Sequence, residues 1–150
     1  NGVLVMCSCN PGPYKIKNQE RTIAISQFAD KMKIGVIILN SNEAYRGDDD
    51  SYAAMQAYAK EQNYTWNYVV DKNHEVADAF GANRTPECFL FDKNMVLTYH
   101  GAIDDSLSDV NAVQRIHLKE AMKEMVGGKE VAVKESKSVG CTIKRLKKAD

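Results

Sequence analysis

The sequence predicts an α/β fold in which a mixed central sheet carries helices on both faces. Two continuous apolar runs, Val3–Met6 and Ile34–Leu39, read as strands buried on both sides, since neither alternates. Helical patterns stand between and after them, which demands parallel pairing through crossover connections. Beyond Glu87 the apolar period drops to two around a short polar turn, and this adds an antiparallel hairpin.

Each element has a local cause. Val3-Leu4-Val5-Met6 runs into Cys7-Ser8-Cys9-Asn10-Pro11-Gly12-Pro13. Asn10 is a good N-cap, and Pro11 is expected at the first helical position, where a missing N–H costs nothing. Ile16, Ile23, Phe28 and Met32 then fall on one side of a helix reaching about Lys33. After the second strand, Asn40–Asp50 is a polar, acidic loop. Its Asp48-Asp49-Asp50 run lacks the glycine and distal Glu of a calcium loop and reads as a solvated stretch. Ser51 caps a helix with Tyr52, Met55, Tyr58 and Ala59 on its apolar side, ending near Asn63. Trp66–Val70 is a short third strand, and Asn73 opens a brief helix through Val76, Ala77 and Phe80 that Gly81 stops. Cys88–Phe91 and Met95–Tyr99 flank Asp92-Lys93-Asn94 as the hairpin. A long helix with Val113, Ile116, Ala121, Met122 and Met125 follows the loop Gly101–Asp109, and Gly127-Gly128 ends it.

The chain of 150 residues is expected to form one domain over 1–128, with 129–150 a basic tail packing on it. That tail holds seven Lys/Arg against three Asp/Glu, so its net +4 leaves −4 for the rest of a chain whose total is zero. With zero net charge, no global field argues for nucleic acid, and no apolar run approaches the roughly 20 residues of a membrane span. Four cysteines, Cys7, Cys9, Cys88 and Cys141, are too few and too unevenly spaced for a disulfide scaffold. They do not have the paired spacing of a zinc site either, so neither a metal nor a cofactor is expected. This cysteine usage suits a reducing compartment or a redox protein of the cell envelope.

The chemistry gathers at the first strand–helix turn. A thiol at a helix N-terminus meets fixed N–H groups and the positive end of the dipole, which stabilise a thiolate. In a doubly covered sheet of this order the turn with Cys9 lies near the loop before the hairpin, Arg84-Thr85-Pro86-Glu87. Free cysteine is among the most buried residue types, so Cys7 and Cys88 read as packing residues. His74, His100 and His117 have no usable spacing and read as surface or capping residues.

The stretches V-L-V-M-C-S-C-N-P-G-P-Y, R-T-P-E-C-F-L-F-D and G-C-T-I-K resemble the redoxin family, the thioredoxin-like proteins related to alkyl hydroperoxide reductase and thiol-specific antioxidant. More narrowly they resemble a bacterial subgroup with a Cys-Asn-x-Cys-Pro-Tyr turn and a terminal Gly-Cys-Ser/Thr-Ile-Lys. Cys9, Asn10, Pro13 and Tyr14 match the turn, Pro86 matches the family's cis-proline, and Gly140–Lys144 match the terminal motif. The resemblance implies a thioredoxin-like three-layer sandwich, here beginning without its leading strand or hairpin, which is expected before Asn1. It also implies a bacterial cytoplasmic or periplasmic protein.

Two departures shape the functional expectation. Gly12 stands where the subgroup has its second cysteine, so no Cys-x-x-Cys disulfide forms. Met6, Cys7 and Ser8 stand where peroxidases of this family carry Pro and Thr or Ser upstream of the cysteine. What is expected is a thiol-dependent redox protein in which Cys9 attacks a disulfide or a peroxide. Thr85 and Pro86 would shape the approach of the substrate, and the second thiol would come from Cys141 or from a small external reductant. The alternative is a redox-inactive binding module that holds extended peptides or a partner by the Pro86 loop.

Overall fold

The computed structural model describes residues 1–10, 13–106 and 109–146, with the backbone alone for 13–18 and 110. Its five-stranded sheet has the order β3-β2-β1-β5-β6, from β1 (Gly2–Ser8), β2 (Gly35–Asn40), β3 (Asn67–Val70), β5 (Glu87–Asp92) and β6 (Leu97–Gly101). A separate two-stranded ladder joins β4 (Arg84–Thr85) to β7 (Cys141–Thr142). β1 lies parallel to β2, with Val3 opposite Gly35 and Ser8 opposite Asn40, and antiparallel to β5. The parallel pair requires a crossover, which α1 (Pro13–Lys31) supplies. The sheet is therefore mixed, and β1 at its centre is covered on both faces.

Period two along β1 sends Leu4 and Met6 to one face and Val5 and Cys7 to the other. The first face packs on Ile25 and Ala29 of α1 and on Leu118 and Met122 of α4 (His117–Val126). The second packs on Ala77 of α3 (Glu75–Phe80), Phe89 and Ile143. Fully buried side chains such as Leu4, Ile38 and Leu90 each contribute on the order of 1.5–3 kcal/mol through removal from water. Gly81 ends α3 with φ +73°, a conformation that costs any other residue strain.

The structure moves several boundaries. Among the described side chains of α1 the buried ones are Gln19, Thr22, Ile25, Ser26 and Ala29, while Phe28 and Met32 flank them and Ile23 is only partly buried. The side chain of Ile16 and the whole of Pro11 and Gly12 lie outside the described residues. The capping role expected of Asn10 falls on N–H groups outside the described residues, and its Oδ1 accepts from the Tyr68 hydroxyl at 2.8 Å. Tyr52, at the first turn of α2 (Tyr52–Glu61), is 63% exposed, and Met55 and Tyr58 carry the burial. The helix near Asn73 is capped by Asp71 instead, whose carboxylate accepts from Val76 and Ala77 N–H, both at 2.9 Å. The last helix begins only at His117, since Val113 and Ile116 belong to the segment leading into it.

Residues 129–146 follow the sheet edge and then its end. Glu135 bridges in parallel to His100, and Ser136 Oγ meets the Tyr99 hydroxyl at 2.5 Å. After β7, Ile143 is buried beside Val5 and Cys7, and the Lys144 N–H donates to Asn42 Oδ1 at 2.8 Å. No described helix is long and apolar enough to cross a membrane.

Candidate functional site

β1 ends at Ser8 and hands Cys9 to the turn above the sheet, where it is 8% exposed. Its Sγ lies 3.6 Å from Thr85 Oγ1. Thr85 closes β4, is itself buried, and is joined to the buried Pro86 by a cis peptide bond. On its other side Thr85 stands opposite Cys141 across the β4–β7 ladder, and its hydroxyl donates to the Cys141 carbonyl at 3.4 Å. One threonine side chain thus separates the Cys9 sulfur from the Cys141 backbone. The structure brings Cys9, Thr85, Pro86 and Cys141 together although as many as 132 positions separate them in the chain. Among the described residues no disulfide joins the four cysteines.

The cysteines differ electrostatically. Burial pushes the Cys7 thiol up to about 12, and the nearby carboxylates of Glu87 and Asp71 add to the effect against Arg145. Cys88 is raised as well, first by burial and then by Cys7 and Glu87. Both keep their protons at neutral pH and are poor nucleophiles. Cys9 is followed directly by Asn10, which belongs to a buried polar network.

That network is built on Asp50, which is not a solvated residue before a cap but a buried one. Its Oδ1 accepts from Asn10 N–H and from Asn40 Nδ2, both at 2.8 Å, and its Oδ2 from Asn42 Nδ2 at 3.2 Å. Arg46 closes the network from below, donating to the Asp50 carbonyl at 2.6 Å and the Asn40 carbonyl at 2.8 Å. Tyr68, whose phenol is raised chiefly by burial, keeps its proton and donates it to Asn10. The residue after Cys9 is therefore tied through main chain and side chain to the Asp49–Asp50 turn and to β3. Ser51, as expected, caps α2 by accepting from Ala54 N–H.

A second anchor holds the Thr85 loop. Glu87 is buried, and its Oε1 accepts from the N–H groups of Asn83 and Arg84 at 2.9 and 3.0 Å. Its Oε2 meets His100 Nε2 at 2.5 Å, and the His100 ring stacks on Phe89. Sequence reasoning missed both Asp50 and the Glu87–His100 pair. The only sequence signal was Glu87 itself, a carboxylate directly after the Thr-Pro in a strand about to be buried. Among the described residues, no group of three or more His, Cys, Asp or Glu is placed to hold a metal ion.

The model of the AhpC/TSA family matches residues 15–100, more than half of the chain. The chain belongs to the AhpC/TSA family. The matched stretch includes Thr85, Pro86, Glu87 and His100 and begins after Cys9. AhpC/TSA membership supports a function of the thiol-redox type. Two solved structures are similar to this AhpC/TSA chain over nearly all of its length. A hypothetical protein from Sinorhizobium meliloti is 29% identical, with a TM-score of 0.87 over 97% of this chain and 80% of that one. An uncharacterized conserved protein from Geobacillus kaustophilus is 28% identical, with a TM-score of 0.90 over 99% and 79%. A thioredoxin-like protein solved in its oxidized form is 20% identical, with a TM-score of 0.65 over 87% and 80%, a likeness of fold alone. The fold is thioredoxin-like. Comparison with curated proteins gives no match.

Proposed function

We propose that the chain carries out thiol–disulfide exchange with Cys9 as the attacking sulfur and Cys141 as the resolving one. The observation that carries this reading is the Thr85 hydroxyl, 3.6 Å from the Cys9 sulfur and on the ladder that holds Cys141. That hydroxyl has one hydrogen and two neighbours that can accept it. When Cys9 is a thiolate, the hydroxyl turns from the Cys141 carbonyl and donates to the sulfur. The Cys9 thiolate attacks one sulfur of a disulfide, whose S–S bond breaks. A mixed disulfide forms and the leaving thiolate takes a proton from water. The Cys141 thiolate then attacks the Cys9 sulfur. The second thiol is released, and the chain is left with a Cys9–Cys141 disulfide and two electrons fewer. An external thiol reverses the oxidation.

AhpC/TSA membership favours a second oxidant for the same sulfur, a hydroperoxide, which would give a Cys9 sulfenic acid, with water lost when Cys141 condenses with it. The redox-inactive alternative, a module for extended peptides, would need the backbone edge of Thr85 open, and β7 holds that edge.

One experiment separates these readings. The reduced protein is treated with one equivalent of oxidised glutathione or of hydrogen peroxide, digested without reductant and mapped by mass spectrometry. We expect a Cys9–Cys141 peptide, and for Cys141→Ser a stalled adduct at Cys9. Iodoacetamide should label Cys9 ahead of Cys7 and Cys88. Equal, slow labelling of all four thiols with no linked peptide would sink the enzyme reading and leave the binding module.

A further inference from the structure

A thiol that exchanges with disulfides in polypeptides needs an edge on which the extended substrate can lie, because backbone pairing supplies sequence-independent affinity. Next to Cys9 that edge is β4, and the chain's own tail holds it. Thr85 faces Cys141, Arg84 faces Thr142, and the Ile143 N–H extends the pairing to the Asn83 carbonyl at 3.0 Å. The tail is pinned on both sides of this crossing. Before it, Ser136 is held by Tyr99 and by Ala102 N–H, and after it Ile143 is buried and Arg145 donates to Asp78 Oδ1 at 2.8 Å. Gly140 marks the closest approach: a Cβ there would lie 2.2 Å from the Thr85 carbonyl oxygen and 3.5 Å from Pro86 Cδ. Only glycine lets the strap lie this tightly over the residue that touches the nucleophile.

We propose that the Gly140–Thr142 strap determines the substrate class of Cys9, excluding extended polypeptides and leaving the thiol to low-molecular-weight disulfides. A small disulfide needs no backbone ladder and asks for less room beside a filled edge, where Cys9 as a residue is 8% exposed. The inference rests on the reading of Cys9 as nucleophile. Its chemistry is the first exchange step: the S–S bond of the small disulfide breaks, the Cys9–S bond forms, and one small thiol leaves with a proton.

The test compares two probes with the same leaving group, 5-thio-2-nitrobenzoate. One is the symmetric small disulfide of that thiol, and the other is a ten-residue peptide whose single cysteine carries it. Release of the thiol is followed by absorbance for the wild-type protein, Cys9→Ser, Gly140→Val and Ile143→Ser. The two tail variants loosen the strap by different routes, one through clash with Thr85 and one through loss of the buried anchor. Hydrogen exchange at 140–144 reports that each has loosened. We expect the wild type to prefer the small disulfide strongly, and the preference to fall by at least about tenfold in a folded, loosened variant, the gain from freeing one backbone pair. A wild type that reacts equally fast with both probes overturns the role of the strap alone. So does an unchanged preference in a variant whose tail has opened. No Cys9-dependent release from either probe overturns the nucleophile reading and the strap with it.

Discussion

Asp50 shows how much of the site depends on one buried carboxylate. Three N–H groups from Asn10, Asn40 and Asn42 converge on it, and the first is the backbone of the residue that follows Cys9. A buried anion persists only where such donors replace water, and each donor left without its acceptor costs about 1–3 kcal/mol. Asp50→Ala removes the acceptor for all three. We expect it to lower the unfolding free energy by roughly 2–4 kcal/mol, and Asp50→Asn by less, because the amide keeps one acceptor oxygen. Urea titrations at neutral pH measure both. A loss under about 0.5 kcal/mol in Asp50→Ala, the range of ordinary surface changes, would mean that water replaces the carboxylate and that the turn is anchored elsewhere.

The same logic governs the elements. α3 has six residues, too few to hold as a helix by its own hydrogen bonds. Asp71 stabilises it from outside, reaching past the 3-10 turn Lys72–His74 to the N–H groups of Val76 and Ala77, while the Ser41 hydroxyl holds Asp71 Oδ2 at 2.7 Å. Asp71→Ala should cost about 2 kcal/mol, the upper end for lost caps, since the carboxylate serves two N–H groups at once. Amide exchange at 75–80 should speed up more than exchange in β1. Uniform acceleration across the chain would instead mean that α3 does not open separately. The sequence pattern places α3 and its Gly81 stop but points to Asn73 where Asp71 caps, and this pattern is general here. Strands β1 and β2, the hairpin and the helix of Ser51 are legible because each repeats a local signal: an apolar run, a period of two, or a capping oxygen. The Cys9 turn and the Thr85–Pro86 loop are legible as local features, because strand ends and Thr-Pro turns are local too. Asp50, Glu87 and His100 are not, since each needs a partner from another element, Asn10 for Asp50 and the Glu87–His100 contact for the other two, and nothing in a window of ten residues distinguishes a buried, satisfied carboxylate from a solvated one. The short helix at the end was overextended for a related reason. Val113 and Ile116 continue the apolar spacing of α4 but precede it in the chain, and Ile116 is exposed.

Across the whole molecule the titrating groups predict a lopsided response to pH. Burial raises the Cys7 thiol from 9.0 to about 12 and the Tyr99 phenol from 10.0 to about 12, and it raises Cys88, Tyr58 and Tyr68 in the same direction. Each of these groups stays protonated in the folded chain at a pH where the unfolded chain has already released its proton. The unfolded state then binds fewer protons, so unfolding becomes easier as pH rises. The stability involved is complete below about pH 9 and is lost from there toward about 12, at up to roughly 1.4 kcal/mol per pH unit for each group past its unfolded value. On the acid side, Asp78 is held below the ordinary carboxylate range by its hydrogen bonds from Arg145 and His74, and Glu130 by Lys134. Their contribution is present above that range and fades as pH falls through the folded values, but both carboxylates are exposed to solvent and screened by salt. Urea midpoints should therefore fall more between pH 9 and 11 than between pH 6 and 4. Cys7→Ala should flatten the alkaline limb from about pH 9 upward, and Tyr99→Phe only from about pH 10, whatever either change does to stability at pH 7. A wild-type midpoint that stays level from pH 8 to 11 would show that these groups ionise as readily in the folded chain as in the unfolded one, and that the centre of the sheet beneath Cys9 is not closed to water.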